Sequence, residues 1–451
     1  MKDENSGIAR MFAANVPRYT SYPTAPHFHG GIGDSTYRGW LADLDPATPL
    51  SLYAHIPFCD SLCWFCACHT TAVNNYTPVR NYCDDLLREI DRVADSLPAR
   101  MKVRHIHWGG GSPTMLDAGD VARLNDRTRQ RFDVALDAEF AVEIDPRGFT
   151  PAMAAGLGRA GVTRASLGAQ DCDPKVQRAI NRLQSDDETF DAIANLRAEG
   201  VHSINIDLVY GLPLQTLDSW SRTLEFILWL RPDRIAVFGY AHVPSFKKHQ
   251  TLIPPESLPD LETRFHMAEL ARIIFVARGY VAVGIDHYAL PRDGLARAAI
   301  EGRLHRNFQG YTTDKAPVLL GFGASAISVL PQGYVQNKVA VPEYRKRLAA
   351  GELAVARGIA LTPNDCFRRA VIERLMCDLT VDLSALQLQY AAALGLEEVF
   401  AELAHLEADG IIALEGSHIT IRPKWRSAAR LVVSCFDQYL ERAAARYSSA
   451  V

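Results

Sequence analysis

The sequence predicts an α/β protein: a partial, open (β/α)6 barrel of the TIM type, with an N-terminal arm and a small, mostly helical, winged-helix-like C-terminal domain. Three observations support this prediction. Six short β-type runs alternate with amphipathic helical segments, which is typical of right-handed βαβ units and a parallel sheet. The 451 residues are too many for one ordinary domain. Beyond residue 350 the pattern changes to helices and one hairpin.

The predicted barrel strands are residues 50–56, 103–108, 140–144, 163–167, 203–209 and 234–239. After the first of them, residues 82–96 carry one apolar stripe at helical spacing. Six βα units fall short of the eight that close a TIM barrel of about 250 residues. We therefore expect an open barrel whose functional residues lie at the carboxyl ends of its strands.

The arm contains a stretch rich in Pro and Tyr, VPRYTSYPTAPHF, which has no clear helix or strand period. We expect residues 1–47 to form an arm over the active site, residues 48–350 the catalytic barrel with its substrate loops, and residues 351–451 the C-terminal domain. The helices predicted in that domain are 364–377, 383–393, 397–408 and 424–446, and its hairpin joins 411–414 to 419–421. Because these helices are not basic, we expect the domain to pack beside the barrel rather than to bind DNA.

Composition argues against several classes of protein. The formal net charge of -4 disfavours a general nucleic-acid binder, which should carry a basic stripe. The sequence has no run of about 18 or more apolar residues, so it predicts no membrane span. The start, MKDENSGIAR, lacks the apolar stretch of a secretory signal. We therefore expect a monomeric protein of the reducing cytoplasm.

Four of the nine cysteines lie close together after the first predicted strand: Cys59, Cys63, Cys66 and Cys68. In the cytoplasm such a group indicates metal or redox chemistry more often than disulfides. A zinc-binding interaction module is one alternative, but a structural zinc site needs a second, distant ligand pair, and none matches downstream. Three thiolates at C-x3-C-x2-C instead suit a 4Fe-4S cluster with one iron open to an exogenous ligand. We expect Cys59, Cys63 and Cys66 to be its ligands.

Further polar or glycine-rich segments lie near the ends of the predicted strands. The run Gly109-Gly110-Gly111 closes the second strand, and it lacks the G-x-G-x-x-G register of a nicotinamide dehydrogenase. Asp207 lies within an apolar strand, where an isolated carboxylate would be costly to bury, so we expect it to have a partner. Glu143 ends the third strand in EIDPR, where the simplest partner for its carboxylate is Arg147.

These motifs resemble the radical S-adenosylmethionine (SAM) superfamily and, within it, the family of oxygen-independent coproporphyrinogen III oxidases (dehydrogenases) of haem biosynthesis. The resemblance extends over nearly the whole chain, through the stretches RYTSYPTA, YAHIPFC, HWGGGSPT, EIDPR, GAQD, INR, NIDLVYGLP, YAHVP, HRNFQGYTT, GFGASAIS and RGIALTPNDC. It implies a radical SAM barrel in which the open iron of the cluster chelates SAM. It also implies that two propionates of coproporphyrinogen III lose their carboxylates and become vinyl groups, by way of a 5′-deoxyadenosyl radical, which gives protoporphyrinogen IX.

The resemblance further implies two SAM molecules, which fit two radical events per turnover. The molecule on the cluster would contact Tyr53, Gly110, Gly111, Ser112, Glu143 and Ile327. The second molecule would lie near Phe65, Gln170, Arg182, Asp207 and Ala241. A one-electron reductant and a final electron acceptor would complete the set of redox partners.

Cys68 lies one step beyond the predicted cluster ligands, and we hypothesise that it is catalytic, with a role in hydrogen or electron transfer. A substrate with four carboxylates needs cations, and arginine can hold a carboxylate through two parallel hydrogen bonds. We therefore expect substrate contacts from Arg18 in the arm and Arg306 in HRNFQGYTT. The resemblance adds Phe308 and Gln309 from the same stretch.

The nearest alternatives are a radical SAM haem chaperone and a haem-degrading methyltransferase. Both kinds of protein resemble the barrel, but they usually lack the position of Cys68 and the RYTSYPTA arm. Vinyl formation from coproporphyrinogen III would separate the oxidase from both of them.

Overall fold

The chain folds around one large sheet, and the computed structural model describes residues 16–390 and 397–440. The strands in chain order are β1 (Leu50–Ile56), β2 (Phe58–Cys59), β3 (Thr71–Ala72), β4 (Lys102–Gly110), β5 (Asp133–Ile144), β6 (Arg164–Gln170), β7 (Ser203–Tyr210), β8 (Arg234–Gly239), β9 (Val281–Val283), β10 (His287–Ala289), β11 (His305–Asn307), β12 (Gly310–Thr312), β13 (Val318–Phe322), β14 (Ile327–Leu330), β15 (Gly333–Asn337), β16 (Val355–Ala360), β17 (Thr380–Asp382), β18 (Ile412–Glu415) and β19 (His418–Ile421).

The α-helices in the same order are α1 (Asp34–Ala42), α2 (Thr77–Asp95), α3 (Ala118–Arg131), α4 (Pro151–Ala160), α5 (Pro174–Ala179), α6 (Asp186–Ala198), α7 (Leu217–Leu230), α8 (Leu261–Ala277), α9 (Gly294–Ile300), α10 (Val341–Ala349), α11 (Pro363–Asp378), α12 (Leu383–Tyr390), α13 (Glu397–Ala408) and α14 (Ala429–Ser434). Among the described residues, no helix is both long enough and apolar enough to cross a membrane.

The large sheet has twelve strands in the order β16-β15-β14-β13-β1-β4-β5-β6-β7-β8-β10-β9. Its centre, from β13 through β1 to β8, is parallel, and both edges are antiparallel. All six predicted strands are present with helices between them, so the predicted α/β fold with a partial barrel is confirmed. The sequence did not predict β13, which adds a further parallel strand beside β1. Its run VLLGF is uniformly apolar and has no period that marks it as a strand.

The two faces of the parallel strands have different characters. In β1, the residues at alternate positions from Leu50 to Ile56 belong to the main apolar core with the helices. The residues between them, Ser51 and Tyr53, line cavities inside the barrel. This alternation follows from strand geometry, because successive side chains point to opposite faces. The inner face is therefore available for a polar site.

The C-terminal part of the chain has the predicted helices and hairpin, with one addition and one correction. β17 adds a third strand to the hairpin formed by β18 and β19. The predicted helix 424–446 is wrong in its described part: a 3-10 segment, Pro423–Ala428, precedes α14, and no helix follows before residue 440. Trp425 interrupts the helical path because its buried backbone adopts φ -103° and ψ 20°. Residues 391–393 and 441–446 of the predicted helices lie outside the described residues.

The arm is held between the barrel and the C-terminal segment. Tyr19 donates a hydrogen bond to Asp437 at 3.1 Å, and Tyr334 of β15 donates one to the carbonyl of Tyr22 at 3.2 Å. Tyr19 and Tyr22 are buried in the same apolar cluster as the C-terminal helices. The sheet itself continues past residue 350, because β16 pairs with β15. The proposed domain limits stay a prediction.

Candidate active site

The four clustered cysteines lie on the loop between β1 and α2, at the carboxyl end of the parallel strands. Side chains from other segments hold the main-chain carbonyls of this loop. The donor-carbonyl pairs are Asn181 to Leu62 at 2.9 Å, Gln250 to Phe65 at 3.0 Å, His249 to Cys66 at 2.7 Å and Lys247 to Cys68 at 2.9 Å. The path of the loop is therefore fixed by the protein itself.

The sulfur atoms of the three predicted cluster ligands all lie near hydrogen-bond donors. Sγ of Cys59 lies 3.1 Å from the hydroxyl of Thr70. The main-chain N–H of Cys68 donates to Sγ of Cys66 at 3.4 Å. The buried Cys63 accepts from two guanidinium groups, at 3.5 and 3.6 Å. Hydrogen bonds and positive charge stabilise thiolates, the form of cysteine that binds metal.

The two guanidinium groups at Cys63 belong to Arg182 and Arg147, and both pair with Asp145. Arg147 lies 2.6 Å from this carboxylate and Arg182 lies 3.0 Å from it. The partner of Arg147 is therefore Asp145, and not Glu143 as the simplest interpretation of EIDPR suggested. Arg182 also donates to the carbonyl of Gly168 at 2.6 Å. Nothing in the sequence indicates that Asp145 and Arg147 support a cysteine.

Glu143, near the end of β5, instead contacts the neighbouring strand β4. Its Oε2 accepts a hydrogen bond from the main-chain N–H of Gly110 at 3.0 Å, and its Oε1 lies 3.1 Å from Nε2 of His107. Burial favours the neutral acid, but the hydrogen bonds from His107 and Gly110 outweigh it and lower the pKa of Glu143. The site therefore holds a partly buried negative charge, which suits the ammonium group of an amino acid.

The glycine run at the end of β4 is explained by the packing of the protein itself. A Cβ atom at Gly109 would lie 2.7 Å from Glu143, and one at Gly110 would lie 2.7 Å from His55. At Gly111 a Cβ atom would lie 2.5 Å from the carbonyl oxygen of Phe58. Gly110 also has φ 118°, which L side chains rarely adopt. Gly110 and Gly111 therefore require glycine whether or not a ligand is present, whereas a side chain at position 109 would displace the carboxylate of Glu143.

A cavity of about 450 Å³ opens beside the cysteine loop. Nine of the predicted site residues line it: Arg18, Phe65, Cys68, Gln170, Asp207, Ala241, Arg306, Phe308 and Gln309. Asp207 has hydrogen-bond partners, as expected for a carboxylate in an apolar strand: it accepts hydrogen bonds from Ser166 at 2.9 Å and from Asn205 at 2.7 Å. The structure thus brings the arm, the cysteine loop, the strand ends and HRNFQGYTT around one space.

Other predicted residues lie around this cavity rather than in its wall. Tyr53, Glu143 and Ile327 line a smaller adjoining cavity of about 160 Å³, which also contacts Phe308 and Gln309. Ser112 is buried and bonded to Thr114 at 2.8 Å. Arg182 lies at the base of the cysteine loop, as described above. Its predicted contact with a second SAM molecule stays a prediction.

The sequence did not identify several residues that complete the site. Arg272 of α8 and Arg426 and Arg430 of the C-terminal segment line the larger cavity. Gln250, which is fully buried, donates to the carbonyls of Phe65 and Ala241 and so joins two of the predicted SAM residues. Their segments carry no motif of known chemistry, so only the fold could bring them to the site.

Comparison with known proteins decides the family. The family model described as Radical SAM superfamily matches residues 53–227. The oxygen-independent coproporphyrinogen III oxidase of Bradyrhizobium diazoefficiens is 46% identical over 437 residues, which cover 97% of this chain and 97% of that protein. The corresponding protein of Paracoccus denitrificans is 42% identical over 452 residues, with 100% of both chains covered. A solved structure of coproporphyrinogen III oxidase from Escherichia coli, described as a radical SAM enzyme, matches with a TM-score of 0.90 and 38% identity, covering 95% of this chain and 100% of that one.

This chain belongs to the family of oxygen-independent coproporphyrinogen III oxidases. The resemblance seen in the motifs is therefore confirmed. As a member of the radical SAM superfamily, this oxidase-family chain uses a 4Fe-4S cluster and SAM.

The residues present fit such a cluster. Three cysteines with donors around each sulfur form a suitable thiolate set. Within the described ranges, no three His, Cys, Asp or Glu side chains converge into a group that could hold a metal ion as they stand. The C-x3-C-x2-C spacing, in a chain that matches the Radical SAM superfamily, suits a 4Fe-4S cluster with one open iron.

A buried carboxylate, Glu89, holds the loop that precedes Ile327, the first residue of β14. Glu89 of α2 accepts hydrogen bonds at 2.6 Å from the main-chain N–H of Gly323, from Asn337 and from Tyr344. Burial raises its pKa to about 7, while these hydrogen bonds oppose the shift. Glu89 therefore ties the β13–β14 loop to the back of the barrel.

We expect Glu89→Gln to change how stability depends on pH. The pKa of Glu89 is raised in the folded state, so protonation of Glu89 stabilises the fold. This contribution to the free energy of unfolding is fully present below about pH 4.5 and is lost as the pH rises through about 7. At about 1.4 kcal/mol per pKa unit, the free energy of unfolding of the parent should fall by up to about 3 kcal/mol over this pH range. The glutamine variant should not show this decrease. Urea unfolding at pH 5 and pH 8 measures the difference. The exposed Glu343→Gln on α10 serves as control, and an equal pH dependence in parent and Glu89→Gln would contradict the assignment.

Proposed function

We propose that this chain catalyses the oxygen-independent oxidative decarboxylation of two propionates of coproporphyrinogen III, which gives protoporphyrinogen IX in haem biosynthesis. The full-length relatives named above carry this activity in their names. The observation within the molecule that supports it best is the larger cavity. The lining of this cavity includes Cys68 and the strand-end residues Gln170 and Asp207, together with the cationic Arg18 and Arg306. This lining supports a radical site next to a surface that binds carboxylates.

We assign the cluster to Cys59, Cys63 and Cys66, and SAM on the cluster to Tyr53, Gly110, Gly111, Ser112, Glu143 and Ile327. When bound, the cluster and SAM supply a 5′-deoxyadenosyl radical that removes a hydrogen atom from carbon. The ionised Glu143 would bind the amino group of SAM, and Arg147 and Arg182 would stabilise the thiolate of Cys63. A second SAM molecule is proposed at Phe65, Gln170, Arg182, Asp207 and Ala241.

The remaining residues bind the substrate and exclude water. Arg18 and Arg306 would hold propionates, with Phe308 and Gln309 beside the tetrapyrrole ring. The arm, which is held at Tyr19 and Tyr22, would cover the cavity and shield the radical. Each propionate gives up one hydrogen atom from its β-carbon, and the carbon–carboxylate bond then breaks to release carbon dioxide and one electron. The final electron acceptor takes that electron, and a one-electron reductant starts each event.

The test is an anaerobic assay of reconstituted enzyme with SAM, a reductant, an electron acceptor and coproporphyrinogen III. Chromatography should detect protoporphyrinogen IX after oxidation to the porphyrin. Stable haem binding without decarboxylation would support a haem chaperone instead, and opening of the haem ring would support the haem-degrading methyltransferase. The cytoplasmic location and the monomeric state stay predictions.

Cys68→Ser is expected to lower turnover strongly while the cluster stays intact. The thiol of Cys68 lines the reaction cavity, and its carbonyl is fixed by Lys247 at 2.9 Å, so the substitution changes the sulfur with little effect on the loop. Turnover and the iron and sulfide content of the same preparation are measured together. Wild-type turnover with an intact cluster would remove Cys68 from the mechanism. Cys172→Ser, outside the loop, is the matched control.

A further inference from the structure

Three arginine side chains from distant parts of the chain line the larger cavity: Arg18 of the arm, Arg306 of β11 and Arg430 of α14. They lie close enough for their charges to interact. Burial, followed by the charges of Arg18 and Arg306, lowers the pKa of Arg430 to about 10. Desolvation at the cavity lowers the pKa of Arg18 as well, and the charge of Arg306 acts in the same direction, while part of the Arg18 side chain stays exposed. Such mutual repulsion disfavours the arrangement unless an anion lies among the three groups.

The acidic side chains that line the cavity do not balance these three charges. Glu269 is already paired with Arg272 at 2.9 Å. Asp207 lies inside the barrel and accepts hydrogen bonds from two neutral side chains. Asp286 is the carboxylate that interacts with all three arginines. Among these four groups, three guanidinium groups against one carboxylate leave an excess of two positive charges. Arg426, which also lines the cavity, donates to the main-chain carbonyl of Gly284.

Arg306 also has unused hydrogen-bonding capacity. Its Nη2 donates weakly to the carbonyl of Arg18 at 3.5 Å, and its guanidinium lies 4.5 Å from the ring centre of Tyr311. Among the described residues, its buried Nε and Nη1 atoms have no hydrogen-bond partner. Buried donors without partners are costly, and charged N–H donors of a guanidinium favour a carboxylate as their acceptor. The side chain is therefore arranged for an anionic ligand.

We propose that Arg18, Arg306 and Arg430 form a dicarboxylate-binding site, which holds two propionates of the substrate that are not reacting. The proposal rests on the proposed function and adds to it a residue of the C-terminal segment, Arg430, and the number of carboxylates bound. Coproporphyrinogen III has four propionates, so three are not reacting in the first event and two are not reacting in the second. A site for two carboxylates is thus filled in both events, and it would keep the tetrapyrrole in the cavity between them.

Binding of coproporphyrin III, the stable oxidised analogue with the same four carboxylates, tests this proposal. Its affinity is measured by fluorescence titration of the anaerobic, cluster-loaded enzyme. We expect Arg430→Gln to weaken binding about 10- to 100-fold, the effect of losing a charged hydrogen-bonded pair. Arg430→Lys, which keeps the charge and loses the planar fork, should weaken it less. The tetramethyl ester, which carries no charge, should bind parent and variant with equal affinity.

The exposed Arg422→Gln, in the same segment and outside the cavity, is the control and should bind as the parent does. Arg18→Gln provides a second test at a different position of the chain, since Arg18 is exposed in the arm, and we expect a loss of the same size. Unchanged affinity for coproporphyrin III in Arg430→Gln and Arg18→Gln would overturn the proposal.

Failure of this proposal can be told apart from failure of the proposed function. If the parent forms protoporphyrinogen IX and the arginine variants bind coproporphyrin III normally, the function stands and the dicarboxylate site is wrong. If coproporphyrin III binding depends on the arginines and the parent forms no vinyl product, the site stands and the function is wrong.

Discussion

Replacing Cys66 by serine is expected to abolish both the cluster and turnover. A serine hydroxyl is a poor ligand for iron, and the two remaining thiolates would leave a cubane short of the third protein ligand that this loop supplies. Removal of a residue that only hydrogen-bonds to a metal ligand lowers metal affinity or activity by about 10- to 100-fold. The loss of turnover in Cys66→Ser should be larger. The measurements are iron and acid-labile sulfide after anaerobic reconstitution, the visible absorption of the cluster, and vinyl formation.

Cys366→Ser is the matched control, since Cys366 lies on α11 and is outside the cysteine loop. It should bind iron and turn over as the parent does. Far-ultraviolet circular dichroism should show that both variants are folded, because the carbonyl of Cys66 is held by His249 whatever the side chain at that position. A full complement of iron and sulfide in Cys66→Ser would contradict the assignment of the cluster ligands.

Glu143→Gln is expected to weaken SAM binding by at least about thirtyfold while the cluster remains. The carboxylate is ionised and partly buried, and it accepts hydrogen bonds from Gly110 and from His107. An amide has no charge to offer an ammonium group, and loss of one partner in a buried charged pair costs about 2 kcal/mol or more. Equilibrium dialysis of labelled SAM against the reconstituted enzyme measures the loss directly, separately from turnover.

Asp137→Asn is the control for this acid-to-amide change. Asp137 lies on the same strand, β5, but its exposed carboxylate pairs with Arg104 at 3.1 Å, away from the site. This variant should bind SAM normally. Normal SAM affinity in Glu143→Gln, with the cluster loaded, would show that Glu143 does not contact SAM.

The sequence was sufficient to predict the elements that are marked by a local residue pattern. The six barrel strands follow from short β-type runs between amphipathic helices, and the cysteine loop follows from its spacing after the first of them. β13 was missed because VLLGF is apolar throughout and gives no period. The last predicted helix begins too early, because the backbone of Trp425 departs from helical φ and ψ and the α-helix starts only at Ala429.

The residues missed at the site share one feature: their role depends on contacts between segments far apart in the chain. Gln250 lies 185 positions from Phe65, and Asn181 lies 119 positions from Leu62. Arg430 reaches the cavity only because α14 packs beside the arm and the barrel. Hydrophobic patterns and spacing report the local element, but they do not report which distant carbonyl or ligand a polar side chain meets.

The most direct test of the central claim is the amount of 5′-deoxyadenosine formed per vinyl group in anaerobic turnover with coproporphyrinogen III. Liquid chromatography with mass spectrometry measures both products in the same sample. The account predicts one 5′-deoxyadenosine for each vinyl group, hence two for each protoporphyrinogen IX, and neither product in Cys66→Ser. Vinyl groups formed without 5′-deoxyadenosine, or vinyl formation that persists in Cys66→Ser, would contradict it.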